Sequence, residues 1–274
     1  MLRAALVQFT SGDAPRDNAR ALREALRRAA GEGATLALAP EATNCISASR
    51  DHQRRSLAGE ADDPVLATLV ETAAETGIWA LAGLVLAPGA GRLVNRAVLA
   101  GPDGRIHARY DKIHMFDVDI EPDAPIRESD AFAPGNSAVL ASAAGVPLGL
   151  TICYDLRFPH LFRRLAKAGA RVIAVPSAFH PVTGAAHWEV LLRARAIETG
   201  AFILAPAQTG RHPASEGRAR QSHGHSLAIT PWGEVLADAG TAPGVTVVDL
   251  DLAQVGAARR RVPALWHDPV VAGP

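Results

Sequence analysis

The sequence predicts a mixed α/β fold in which sheets are covered by helices on their outer faces. Three observations point there. Short apolar runs alternate with amphipathic stretches, turn signals bound nearly every run, and no repeat or low-complexity tract breaks the pattern. The chain has 274 residues, 48% of them hydrophobic and 20% charged, which is a globular mix rather than a disordered one. Folding such a chain reduces its accessible surface from roughly 42,000 to roughly 11,000 Å², so a large core is available. One domain spanning residues 1–274 is expected, with a C-terminal arm over about residues 255–274.

Taken in order, residues 4–9 (AALVQF) read as a buried strand. Pro15 then opens a helix in which Ala19, Leu22, Leu26 and Ala29 recur at helical spacing, with arginines largely off that stripe. Residues 35–39 are a second apolar run, stopped by Pro40, and Asp63-Pro64 starts a helix that runs to Gly77. Trp79–Leu86 and Val94–Ala100 read as paired strands, and Pro102-Asp103-Gly104 marks a hairpin turn before residues 105–110. Residues 111–136 stand apart, rich in Asp, Glu, Pro and His and without period. A long irregular segment inside a domain is usually functional or disordered. Beyond it, residues 147–152, 171–175, 201–205, 225–230, 234–237 and 245–250 read as strands, about a dozen in all, with helices at 159–168 and 187–199.

Composition excludes several functions. Lys plus Arg and Asp plus Glu both number 28, so there is no basic surplus for coating nucleic acid. No run approaches about 20 apolar residues, the length of a membrane-spanning helix, and the start does not read as a secretory signal. Two cysteines, Cys45 and Cys153, are too few for a disulfide framework and suit a reducing cytoplasm.

Cys153 is the first chemical feature. A strand delivers it to a turn that enters a helix at Pro159. There the helix dipole favours a thiolate, and the following Tyr154 N–H can face an oxyanion. An inert core cysteine is the equal alternative. Glu41, just past a buried strand, sits where active sites of α/β sheets gather, and desolvation there would raise its pKa toward that of a working base. Read alone it is more readily a capping or salt-bridging glutamate. Lys112 and Glu128 border the irregular segment and, singly, are no different from surface charges. His223-Gly224-His225, with His212 nearby, offers part of a zinc site but no evident third ligand or supporting shell. Gly224-His225-Ser226-Leu227-Ala228 lacks the last glycine of a nucleophile elbow.

The joint pattern is more specific than its parts. Pro40-Glu41, Asp111-Lys112-Ile113-His114-Met115-Phe116-Asp117, Glu128-Ser129 and Cys153-Tyr154-Asp155-Leu156-Arg157-Phe158-Pro159 occur in that order. With His187-Trp188-Glu189, Ala205-Pro206-Ala207-Gln208 and Pro231-Trp232-Gly233-Glu234-Val235, they resemble the nitrilase superfamily of carbon–nitrogen hydrolases over nearly the whole chain. That resemblance implies a four-layer αββα sandwich, no cofactor and no metal. It implies Cys153 as nucleophile, Glu41 as general base, Lys112 with the Tyr154 backbone N–H as oxyanion donors, and Glu128 as the group that positions Lys112. It implies a small carboxylate-bearing amide as substrate and a homodimer or larger assembly. The branch resembled most acts on deaminated glutathione. The omega-amidases of alpha-ketoglutaramate neighbour it, and a scaffold that retains the fold without activity is the alternative of another class. Arg157 and Phe179 are the expected substrate-binding residues. Arg157 is a candidate carboxylate partner, although a salt bridge to Asp155 or Glu189 suits it better. His223 stands where the superfamily usually has tyrosine, and Cys45 where bulkier side chains are common.

Overall fold

A computed structural model describes residues 1–89, 91–120, 125–267, 269–270 and 273. The first half of the chain forms β1 (Leu2–Gln8), α1 (Pro15–Gly31), β2 (Leu36–Leu38), α2 (Arg50–Ser56), α3 (Pro64–Thr76), β3 (Trp79–Leu86), β4 (Val94–Ala100), β5 (Ile106–Asp111), β6 (Asp117–Val118) and β7 (Ile126–Arg127). The second forms β8 (Val139–Ala143), β9 (Val146–Leu150), α4 (Pro159–Lys167), β10 (Val172–Ala174), α5 (Pro181–Thr199), β11 (Phe202–Ala205), β12 (Thr209–Arg211) and β13 (Gln221–His223). It ends with β14 (Leu227–Ile229), β15 (Val235–Asp238), β16 (Gly244–Leu250) and α6 (Ala253–Arg261).

Two six-stranded sheets carry the fold, in the orders β16-β1-β2-β3-β4-β5 and β15-β14-β11-β10-β9-β8. Strand alternation explains the layering. Along β1, Leu2, Ala4 and Leu6 enter the core shared with the second sheet, whereas Ala5 and Val7 point the other way, into a core with Leu22 and Leu26 of α1 and Leu69 of α3. Because both faces are covered, these strands read as unbroken apolar runs instead of alternating ones. On the far side, α4 and α5 bury Phe162, Leu165, Trp188 and Leu192 against the second sheet. The order is helices, sheet, sheet, helices: the αββα sandwich.

Local signals account for the elements that were expected. Asp63 caps α3 by accepting hydrogen bonds from the backbone N–H groups of Val65 and Leu66, and Gly77 ends that helix in the left-handed conformation. The arginines off the α1 stripe reach across to α3, as Arg23 does to Glu71 and Arg27 to Glu75.

Several expectations need correction. Helix α5 begins at Pro181, six residues before the expected start, with Pro181 in its first turn. On this helix Val190 and Ile197 are exposed, while Trp188, Leu192 and Ala196 face inward. The apolar face of α4 is buried within its own chain, through Leu161, Phe162 and Leu165. Helix α2 was not anticipated, being short and polar. Residues 111–136 do contain order: β6 pairs with β7 and a 3₁₀ turn covers Glu128–Asp130, while 121–124 lie outside the described residues. The C-terminal arm includes α6 and an exposed Trp266. Among the described residues no helix is long and apolar enough to cross a membrane.

Candidate active site

The parallel strands β1, β2 and β3 of one sheet and β9, β10 and β11 of the other end beside a cavity of about 310 Å³. Glu41 follows β2, Lys112 follows β5, Cys153 follows β9, and Ala178 lies beyond β10. Loops leaving the carboxyl ends of strands are where α/β sheets place their chemistry. Glu128 arrives from the 3₁₀ turn. All of these residues line the cavity, together with Tyr154 and Phe179.

Two glycines permit this convergence. A Cβ on Gly83 would lie 2.6 Å from the Glu41 Cα, so the β3 backbone can pass the glutamate only without a side chain. A Cβ on Gly135 would collide with the Asp111 carbonyl, next to Lys112. The Gly135 N–H instead donates to the Lys112 carbonyl at 2.8 Å.

Four polar side chains interlock. Lys112 Nζ donates to Glu128 Oε2 at 2.8 Å, to Glu128 Oε1 at 3.0 Å and to Glu41 Oε1 at 3.2 Å. Asn95 Nδ2 donates to Glu41 Oε1 at 2.7 Å and reaches Glu128 Oε1 at 3.4 Å. The backbone N–H of Ala178 holds Glu41 Oε2 at 2.7 Å, and that of Phe116 holds Glu128 Oε2 at 2.6 Å. Lys112 is 2% exposed and Glu41 5%, so the pair is desolvated and its geometry fixed from several sides. Cys153 is buried beside Glu41 and Lys112, whose charges act on its thiol, and adopts φ = 48°. That left-handed backbone is strained for a non-glycine residue and is the sort of strain that gathers at functional positions.

The electrostatics reverse two expectations. Burial pushes the Cys153 thiol well above its ordinary pKa, and the adjacent Glu41 charge adds to this, outweighing Lys112. The resting sulfur is therefore a thiol, not a dipole-stabilised thiolate; only a five-residue 3₁₀ turn starts at Cys153. Burial alone would raise the Glu41 carboxyl, but the Lys112 ammonium and hydrogen bonds from Cys153, Asn95 and Ala178 bring it below the usual carboxylate value. Lys112 is held above its ordinary value because Glu128 and Glu41 outweigh its desolvation. The site thus rests as thiol, carboxylate and ammonium.

Phe179 lines the cavity, whereas Arg157 does not. The Arg157 guanidinium lies 5.8 Å from the Tyr154 ring centroid and 5.7 Å from that of Phe179, and contacts His187 Nδ1 at 3.3 Å. It pairs with neither Asp155 nor Glu189. Asp155, fully buried, accepts from Tyr110 Oη at 2.7 Å, from the His114 N–H at 3.1 Å and from the Ile152 N–H at 2.9 Å, and lies 2.7 Å from His114 Nδ1. Sequence reasoning missed this anchor of the Cys153 turn. It also missed Asn95, whose signal was a lone amide inside the strand Val94–Ala100, and the cavity-lining arginines Arg50, Arg218 and Arg220.

The histidines do not gather around a metal. His212 has both ring nitrogens engaged, by Ser11 O at 2.9 Å and Ser222 Oγ at 2.8 Å, and burial depresses its pKa to about 4. His225 turns to Asp238 at 3.0 Å. Among the described residues no cluster of three His, Cys, Asp or Glu could hold a metal ion. Cys45 is buried at the cavity wall and its thiol is pushed up to about 12 by burial and by Asp13.

Comparison with known proteins agrees with this architecture. The deaminated glutathione amidase of Yersinia enterocolitica is 37% identical over 271 residues, covering 97% of this chain and 93% of that protein. A human omega-amidase is 33% identical, covering 95% of this chain and 92% of its own length. The crystal structure of the C. elegans NitFhit protein superposes with a TM-score of 0.88 at 33% identity; the match covers 97% of this chain and spans 65% of the NitFhit chain. The carbon-nitrogen hydrolase family model matches residues 3–260, and the chain belongs to that family.

Proposed function

We propose that the protein is an amidase that hydrolyses a small carboxylate-bearing linear amide through a cysteine thioester, with deaminated glutathione as its substrate. The observation that carries this reading is the convergence of Glu41, Lys112, Glu128 and Cys153 on one buried cavity, with the Glu41 and Lys112 charges acting on the Cys153 thiol. The choice of substrate is supported by relatives of that name at 36–39% identity. The omega-amidase reading rests on the 33% identical human relative.

In this reading Glu41 takes the thiol proton as Cys153 Sγ attacks the amide carbonyl carbon. The resulting oxyanion is met by Lys112 Nζ and the Tyr154 backbone N–H. Glu41 returns the proton to the departing nitrogen, the C–N bond breaks, and a thioester remains. Water, deprotonated by Glu41, attacks the thioester; the acid leaves and the thiol is restored. Glu128 holds Lys112 in place while Asn95 ties Glu41 and Glu128 together. The depressed Glu41 pKa keeps it ionised and ready to accept, and the raised thiol pKa means that the proton moves only as the carbonyl is engaged.

A homodimer fits the outer face of α5, where Val182, Val190 and Ile197 are exposed, as are Trp232 and Trp266. A reducing cytoplasm suits a nucleophile that must remain a thiol. The test of function is a product assay on deaminated glutathione and alpha-ketoglutaramate. Faster release of amine from the first supports the reading. Preference for ammonia release from the second favours the omega-amidase, and no release from either overturns an amidase.

A further inference from the structure

The cavity is more cationic than its chemistry requires. Among the described residues that line it, Glu41 and Glu128 are carboxylates, whereas Lys112, Arg50, Arg218 and Arg220 are cations. The whole chain, by contrast, has equal numbers of acidic and basic residues. Lys112 is consumed by the two glutamates, which leaves Arg50 and Arg220 to be explained.

Arg50 opens α2 and is half-buried. Its guanidinium lies 5.2 Å from the centroid of Phe132, and its Nη1 donates to Gln53 Oε1 at 2.9 Å. Neither partner supplies a negative charge. Arg220 is exposed on the segment joining β12 to β13. Among the described residues no carboxylate forms an ion pair with Arg50 or Arg220. Burial and the neighbouring Arg220 charge depress the Arg50 pKa, and the more weakly felt carboxylates of Glu128 and Asp130, neither of them paired with it, do not offset this. Two like charges held beside one cavity, one of them partly desolvated, are costly unless an anion joins them.

Their placement is built rather than incidental. The segment bearing Arg220 is latched to α2 by Arg55, whose Nη2 lies 2.6 Å from both carboxylate oxygens of Glu216. It is held again by Asp13 Oδ2, which accepts from the Ser215 N–H at 2.6 Å and from Ser215 Oγ at 2.8 Å. At its base the His212 N–H donates to the Arg220 carbonyl at 2.9 Å. Both arginines therefore belong to one tethered unit at the rim of the site.

We propose that Arg50 and Arg220 form a carboxylate-binding subsite, which holds the anionic end of the substrate's acyl half while its amide carbonyl faces Cys153. This rests on the amidase reading for its occupant. The acyl half is chosen because deaminated glutathione and alpha-ketoglutaramate both carry an α-keto carboxylate there, whereas the leaving group of the second is ammonia. Planar guanidinium forks suit a carboxylate better than point charges do, and Arg157, outside the cavity, is left to pack against Tyr154 and Phe179.

The test uses the full chain with Cys153→Ala, so that amides bind without turnover. Calorimetry compares glutaramate with pentanamide, which has no carboxylate, and with butyrylglycine, whose carboxylate lies on the amine side. The expected result is a preference for glutaramate over pentanamide that falls by about tenfold or more when Arg50→Ala and Arg220→Ala are combined. Arg220→Glu, at an exposed position, should shift preference toward 5-aminopentanamide, which ends in an ammonium. An unchanged preference in both variants overturns the subsite, and a loss confined to butyrylglycine overturns its assignment to the acyl half. Ammonia release with Cys153 intact is scored separately. Selective binding without turnover supports the subsite and removes the amidase reading; turnover without selectivity does the reverse.

Discussion

Replacing Lys112 by methionine tests the buried charge cluster most severely. The ammonium is 2% exposed and lies within 3.2 Å of one Glu41 oxygen and both Glu128 oxygens. Methionine fills similar volume but leaves two carboxylates facing each other in a desolvated site. Breaking a buried ion pair by removing one partner costs about 3–5 kcal/mol, which for a domain of this size lowers Tm by about 5–10 °C. The pH dependence carries the sign. In the native protein the Glu41 carboxyl lies below its unfolded value of 4.5. It therefore adds stability above that pH, and this is lost as pH falls through the folded value. Without Lys112, burial dominates and raises the carboxyl instead, so the variant suffers most above 4.5 and least in acid. Calorimetric melts at pH 7 and pH 4 should show the gap between the two proteins narrowing on acidification. A gap that is constant, or that widens in acid, would refute the reasoning. Activity is a second readout: loss of an oxyanion donor should lower kcat by about 10²-fold or more, whereas a change confined to KM removes Lys112 from that role.

Four other outcomes are expected. Because Glu41 is depressed below 4.5, the acid limb of kcat/KM should lie below that pH; a limb at pH 6 or above contradicts the assignment. Because burial and Glu41 push the Cys153 thiol up, iodoacetamide at pH 7 should alkylate it more slowly than cysteine in the unfolded chain, and faster reaction would show a thiolate. Asn95→Ala removes the 2.7 Å bond to Glu41, so the acid limb should move upward and kcat fall by about tenfold; a KM effect with the limb unmoved excludes the positioning role. Light scattering at micromolar concentration should give a dimer mass or larger, dissociated by Val190→Glu on the exposed face of α5, and a native monomer mass ends that proposal.

Much of the fold was legible because strands buried on both faces leave continuous apolar runs. Trp79–Leu86 and Val94–Ala100 coincide with β3 and β4. The start of α5 was lost because its first turn, Pro181-Val182-Thr183-Gly184, lacks an apolar period. Cys153 and the three charged groups around it came into view together through the order of their motifs; singly, Glu41 resembles a helix cap or salt bridge, and Lys112 and Glu128 resemble surface charges. Their protonation was not legible. It depends on which charge wins at each atom, and only three-dimensional placement sets the Glu41 carboxylate against the Cys153 thiol. Arg50 and Arg220 were invisible for the same reason, since a short polar helix and a turn-rich segment meet at the cavity only in the folded chain.

The central claim is a covalent bond between Cys153 and the acyl half of the substrate. Mass spectrometry of intact protein, quenched in acid shortly after mixing with deaminated glutathione so that water no longer attacks a thioester, tests it most directly. An added acyl mass that maps to Cys153 and is absent from Cys153→Ala is the predicted result. Turnover by a folded Cys153→Ala protein, or an acyl group found on another side chain, would contradict the account.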